Sequence, residues 1–187
     1  MRRSIVLSIM ICLTLTVIAQ RVSIVTPKNA TNRELYAAEY LQKKLTAIGY
    51  SGRITLKCSH QGPAEGYTIS RGKKAVSTGF QDYTIEGNDP SGVIYGAVEL
   101  AEQLSVANGS PIDNITEAPQ MVMRGTCIGL QKTVYLPGHT VYEYPYTPEN
   151  FPWFYDKAEW VKYLDMMVEN KYNSLYLWNG HPFASLV

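Results

Sequence analysis

The sequence predicts two units in tandem: an α+β layer of one sheet and two helices, then a βαβ crossover with parallel strands. Three observations carry this. Segments 32–48 and 91–105 repeat their apolar residues at helical spacing and sit among short runs that alternate with period two. A polar stretch containing Asn108-Gly109-Ser110-Pro111 closes this first unit. Beyond it come a strand-like run, a long loop, a third helix and another strand-like run. That order makes the two flanking strands parallel neighbours.

The first nineteen residues stand outside both units. Met1-Arg2-Arg3 is basic, residues 5–18 are apolar apart from Ser and Thr, and Val17-Ile18-Ala19 is a small-residue cleavage site. That is the layout of a secretory signal peptide over 1–19, with cleavage after Ala19, and it predicts a secreted or periplasmic protein. The apolar stretch is shorter than the ~20 residues that a membrane-spanning helix needs. Ile11 precedes Cys12 where lipidation asks for a small residue. Without the leader, the formal net charge of +1 becomes −1, and Cys58 and Cys127 remain. An oxidising compartment permits those two to pair; two separate buried thiols are the alternative.

The first unit is expected over 20–107. Residues 21–27 read as a strand that ends at Pro27. Thr31-Asn32-Arg33-Glu34 has capping-box spacing and opens a helix to Ile48. Leu35, Ala38, Leu41, Leu45 and Ile48 share its inner face, and Gly49 ends it. Ile54, Leu56 and Cys58 alternate as a second strand, and 66–70, 74–78 and 82–86 read as three more. Gly87-Asn88-Asp89-Pro90 is a turn before the second helix. That helix buries Val93, Ala97, Leu100 and Leu104 and leaves Glu99 and Glu102 wet. Gly92 and Gly96 lie one turn apart, which suits close helix-to-sheet packing; no G-x-G-x-x-G accompanies them to make a phosphate loop.

Residues 108–118 read as a linker and 119–187 as the second unit. Of the aromatic residues (14 Tyr, 4 Phe and 3 Trp), two thirds fall between positions 135 and 183. Residues 121–128 are expected to form a strand and 129–156 a Pro- and Tyr-rich loop. A helix over 157–171 has Trp160, Val161, Leu164, Met167 and Val168 on its inner face, and 174–178 is the second strand.

The balance of 17 Lys+Arg against 16 Asp+Glu gives no electrostatic footprint for nucleic acid. A 45% hydrophobic content excludes intrinsic disorder. His60, His139 and His181 are scattered and the cysteines lack ligand spacing, so no metal and no cofactor are expected.

Two stretches resemble a known family. Asp82-Tyr83-Thr84-Ile85-Glu86-Gly87 with Gly92-Val93-Ile94-Tyr95-Gly96-Ala97-Val98-Glu99-Leu100-Ala101-Glu102-Gln103-Leu104 is similar to the end of the β-hexosaminidase-like domain 2 of secreted glycoside hydrolases. Arg124-Gly125, Tyr163-Leu164-Asp165-Met166-Met167 and Lys171-Tyr172-Asn173-Ser174-Leu175-Tyr176-Leu177-Trp178 resemble the start of the catalytic TIM barrel that follows that domain. The resemblance implies a family-20-like β-N-acetylhexosaminidase, or an α-glucuronidase-like enzyme, with a carbohydrate substrate. It makes 119–187 the opening portion of a (β/α)8 barrel, which needs ~250 residues by itself. The chain is then expected to be a truncated portion of a longer enzyme; a stand-alone, non-catalytic carbohydrate-binding protein is the competing reading.

Glycoside hydrolysis ordinarily requires two carboxyl groups ~5–9.5 Å apart, set in a TIM barrel at the C-terminal ends of strands. Asp165 and Glu169 are four apart and read as a solvated face, while Glu143, Glu149 and Asp156 lie where substrate could touch them. No catalytic residue can be named, because the family's Asp–Glu pair follows the fourth barrel strand. By the resemblance, Arg124 contacts hydroxyls of the terminal sugar; a structural, paired arginine is the alternative. His181, just after the second strand, and Trp178, with a flat indole face, complete the substrate-binding candidates; a structural hydrogen-bonding histidine and a tryptophan filling the barrel are the alternatives. The residues of the aromatic loop (Tyr135, Tyr142, Tyr144, Tyr146, Trp153, Phe154 and Tyr155) are expected mostly to pack over the domain junction, with one or two lining a carbohydrate cleft.

Overall fold

A computed structural model describes residues 22–74, 80–129, 148 and 152–178. The expected leader at 1–19 lies outside them. The elements are β1 (Ser23–Val25), α1 (Asn32–Ala47), β2 (Arg53–Cys58), β3 (Tyr67–Lys74), β4 (Gln81–Gly87), α2 (Pro90–Val106), β5 (Ile115–Glu117), β6 (Gly125–Gly129), a 3-10 turn (Pro152–Tyr155), α3 (Lys157–Glu169) and β7 (Ser174–Trp178).

The first unit is α+β. Its mixed sheet has the order β1-β2-β4-β3-β5, with β1, β2 and β4 parallel and β3 antiparallel to both neighbours. Period-two alternation puts Ile54, Leu56, Ile69, Tyr83 and Ile85 in one core with Leu41, Leu45, Val93, Leu100 and Leu104 of the helices, all at most 2% exposed. Burial of this kind stabilises by about 25 cal/mol per Å² of apolar surface removed from water.

Both helix starts are built by the residues the sequence marks. The Glu34 N–H donates to Thr31 Oγ1, and the Thr31 N–H donates to Glu34 Oε2 at 2.7 Å, which is the reciprocal capping box. The buried face of α1 is Glu34, Ala37, Leu41 and Leu45, so it is turned from the expected one, and Leu35 and Ile48 are exposed. Anchoring Glu34 at the cap sets that rotation. Asp89 caps α2 by accepting from the Gly92 N–H at 2.8 Å, and Pro90 follows it. A Cβ on Gly92 would collide with the Gly66 carbonyl, and one on Gly96 would stand 2.6 Å from Ile85 Cγ2. Close packing is therefore the reason for both glycines.

Two expectations need correction here. The linker at 108–118 contains β5, which pairs with β3 through Tyr67↔Glu117 and Ile69↔Ile115. Ile112 and Ile115 pack against the core, and the Ile112 N–H donates to the Tyr83 hydroxyl at 2.8 Å; two isoleucines in a polar stretch have a sheet edge to cover. Glu99, expected wet, is 9% exposed. Of the strand expected at 74–78, only Lys74 is described, and it ends β3.

The second unit pairs β6 and β7 in parallel, from Gly125↔Ser174 to Gly129↔Trp178, with α3 as the crossover. β6 starts later than expected, and Met121, Val122 and Met123 are exposed ahead of it. On α3, Met167 is buried and Trp160 and Tyr163 are half-buried, whereas Val161 and Leu164 face outward. Cys58 and Cys127 are both free. Among the described residues no helix is long and apolar enough to cross a membrane.

Candidate functional site

A constellation of polar side chains lies where the two units meet. On one side, α1 presents Tyr36, Tyr40 and Lys44 one turn apart, and α3 presents Asp165 and Glu169 at the same spacing. The Tyr36 hydroxyl donates to Asp165 Oδ1 at 2.9 Å, the Tyr40 hydroxyl donates to Glu169 Oε1 at 3.4 Å, and Lys44 Nζ stands 2.8 Å from Glu169 Oε1. Burial, then Asp165, pushes the Tyr36 phenol well above its ordinary range. Asp165 and Glu169 stay exposed, as a solvated face requires, while their carboxylates also bond to a neighbouring helix.

The second cluster surrounds the starts of β6 and β7. Arg124 immediately precedes β6 and Asn173 immediately precedes β7. Arg124 Nη2 donates to Glu65 Oε2 at 2.7 Å, its Nε to the Lys171 carbonyl at 3.0 Å and its Nη1 to the Met121 carbonyl at 2.7 Å. The guanidinium also lies 5.7 Å from the centroid of the Tyr95 ring. Both side chains of the Glu65–Arg124 pair are largely buried, at 16% and 14% exposed. Asn173 Nδ2 donates to both Glu65 carboxylate oxygens at 3.1 Å, and Asn173 Oδ1 accepts from the Arg124 N–H at 3.0 Å.

Beside them, Lys171 Nζ donates to Glu99 Oε2 and, at 2.9 Å, to the Tyr67 hydroxyl, which donates to Glu117 Oε2 at 2.5 Å. Burial pushes the Glu99 carboxyl up, but Lys171 and Gln103 outweigh it and hold the group below the usual carboxylate range. Burial, then Glu117, raises the Tyr67 phenol far above its usual value. The Arg124 and Lys171 clusters flank a cavity of about 260 Å³ lined by Glu65, Tyr67, Tyr95, Glu117, Arg124 and Lys171. Each of those charged groups is bonded to protein partners, so the arrangement fixes geometry and offers no free acid–base pair.

A second cavity, of about 380 Å³, lies between β6 and α3 and is lined by Ile128, Trp153, Trp160, Tyr163 and Met166, with Glu159 and Lys162 beside them. Tyr163 donates its hydroxyl to Thr126 Oγ1 at 2.6 Å, and Trp160 Nε1 donates to the Phe154 carbonyl at 2.6 Å. Trp153 and Phe154 therefore pack on Trp160 and Tyr155 edge-on against Phe154, not at the domain junction, where they were expected; the junction aromatics come from the first unit.

The remaining candidates are placed as follows. Arg124 turns toward the first unit, at the N-terminal end of β6. Trp178 closes β7 opposite Gly129, while its side chain, His181, Glu143, Glu149 and most of the aromatic loop lie outside the described residues. Asp156, expected near substrate, caps α3 by accepting from the Ala158 N–H at 2.8 Å. Glu159 pairs with Lys162 on the surface. Among the described residues no group of three His, Cys, Asp or Glu is arranged to hold a metal. Glu65, Glu99 and Lys171 escaped the sequence reading; a carboxylate inside the apolar run of α2 is the one signal that pointed to Glu99.

No known family's sequence pattern matches the chain, and no curated protein matches it. Solved structures do. A GH138 enzyme targeting pectin rhamnogalacturonan II is 50% identical, with a TM-score of 0.76, over 89% of this chain and 19% of that one. The solved proteins that this chain resembles are glycoside hydrolases. A GH20 β-N-acetylhexosaminidase from Streptomyces coelicolor A3(2) matches over 83% of this chain and 30% of that one, at 20% identity and a TM-score of 0.55, a likeness of fold alone. The chain thus spans less than a third of either relative.

Proposed function

We propose that the chain is the accessory α+β domain and first βαβ portion of a (β/α)8 glycoside hydrolase, and that the longer protein cleaves glycosidic bonds in pectin of the rhamnogalacturonan II type. The observation that carries this is the 50% identity across 89% of the chain to an enzyme with that target. The β-N-acetylhexosaminidase-like activity that the sequence favoured becomes the second reading, because its support is a likeness of fold at 20% identity. An α-glucuronidase-like activity and a non-catalytic carbohydrate-binding role stand behind it.

In such a barrel the site lies at the C-terminal ends of the strands, the end where β6 and β7 reach Gly129 and Trp178. Trp178 and His181 are accordingly the substrate-binding residues we assign to this chain. Arg124, at the opposite end of β6, we assign to the junction. Residues 1–19 direct export, which suits an enzyme acting on a polysaccharide outside the cell. The test is to incubate the longer protein with rhamnogalacturonan II and, separately, with an aryl β-N-acetylglucosaminide. Release of sugar from the pectin alone is expected. Cleavage of the glucosaminide alone transfers the assignment to the second reading, and inertness toward both removes both.

A further inference from the structure

We propose that Glu65 is the positioning residue that sets the parallel register of β6 and β7, so that the first unit builds the start of this strand pair and does not merely adjoin it. The inference holds whatever the longer protein cleaves. It begins with the loop that carries Glu65. Glu65 has φ of 60°, a left-handed conformation that non-glycine residues adopt only when their surroundings impose it. The imposition comes from the turn before α2. Asp89 Oδ2 accepts from the Glu65 N–H at 2.7 Å, Asn88 N–H donates to the Gly66 carbonyl at 2.8 Å, and Asn88 Nδ2 donates to the Pro63 carbonyl at 2.8 Å.

The carboxylate so aimed bridges Arg124 and Asn173, the residues that open the two strands. They in turn bond to each other: the Asn173 and Ser174 N–H groups both donate to the Arg124 carbonyl, at 2.8 and 3.0 Å. One side chain of the first unit therefore holds both strand starts at Gly125↔Ser174. A shared hydrophobic core does not do this, because the apolar cluster of the first unit and that around Phe154, Ile128 and Trp160 are separate. Sliding a strand by one residue reverses every side chain between faces, and a buried polar group satisfied in only one arrangement is a device for specifying register.

The three tryptophans, Trp153, Trp160 and Trp178, all belong to the second unit, so their emission follows that unit alone while far-UV circular dichroism follows both. In urea, the native chain is expected to show coincident transitions by the two probes. With Glu65→Ala, the emission transition moves to lower urea and separates from the dichroism. The β6 and β7 amides exchange at least about tenfold faster, while those of β2 and β4 keep their rates. Asn173→Ala, at an exposed position clear of either core, gives the same pattern with smaller amplitude. Glu65→Gln, which keeps an acceptor for Asn173, recovers part of the coincidence. Native transitions already separate, both alanine variants retaining coincident transitions, or unchanged β6 and β7 exchange would each overturn the proposal. So would an equal separation on breaking the exposed Glu159–Lys162 pair with Glu159→Gln.

Discussion

The first unit closes a core of eleven large, fully buried side chains, whereas Phe154 and Met167 are the buried hydrophobic residues described in the second. There Val161, Leu164 and Tyr176 stand 49%, 48% and 62% exposed. The contrast separates two ways of holding a shape. The first unit is held by removing apolar surface from water, which is strong and non-directional. The second is held largely by directional bonds to the first, each with a small net contribution but a costly loss when a buried partner is left alone. Its outward apolar surface suits a unit made to receive further neighbours.

Substitutions that tell the two modes apart follow in order of size. Leu41→Ala, in the first core, is expected to destabilise by about 2–5 kcal/mol and to carry both units with it, since the junction needs α1 and α2 in place. A urea midpoint that fell by dichroism while tryptophan emission stayed put would break the dependence. Lys171→Met leaves Glu99, largely buried on α2, without its cation. It is expected to cost about 1–3 kcal/mol, read first in the emission of the second unit. Equal shifts in both probes would show that Lys171 supports the first core instead.

Acid sharpens the same point. The Glu99 carboxyl is held below its ordinary 4.5 when folded, so its contribution is present above that value and is lost as pH falls through the depressed one. Loosening of the second unit is thus expected below pH 4.5, and Glu99→Gln should flatten that response. An unchanged acid midpoint in the variant would assign the effect to another group. Smallest is Thr31→Ala, which removes the capping box of α1 at about 1 kcal/mol, measurable by thermal unfolding.

Where local chemistry decides an element, the sequence could be read directly. Thr31 and Glu34 mark the start of α1, and Asp89 and Pro90 that of α2; the parallel pairing of β6 with β7 follows from the crossover. Legibility failed where partners are distant. Lys171 lies 72 residues from Glu99, and Asn173 lies 108 from Glu65. Periodicity sees only which face of a helix a residue occupies, so Glu99 looked solvated although it is 9% exposed and bonded to Lys171, whereas Asp165 and Glu169 looked solvated and are exposed. Arg124 stood out for its chemistry, but its orientation depends on Glu65, whose left-handed backbone carries no mark in the sequence. The aromatic richness after Tyr135 was equally visible. Trp153 and Phe154 pack on Trp160, seven and six residues away, a local answer where a long-range one was expected.

The short strand β5 has a practical consequence. It pairs with the outer edge of β3, and the Asn114 side chain prolongs that cover by accepting from the Arg71 N–H at 2.8 Å. An expression boundary drawn after residue 107 on grounds of composition would strip this cover away. Tyr67, Thr68 and Ile69 would then present unsatisfied amides and carbonyls to whatever chain came near, and an open edge of that kind recruits other strands. Such a product is expected to precipitate, whereas one extended through Glu117 keeps its edge shut and stays in solution.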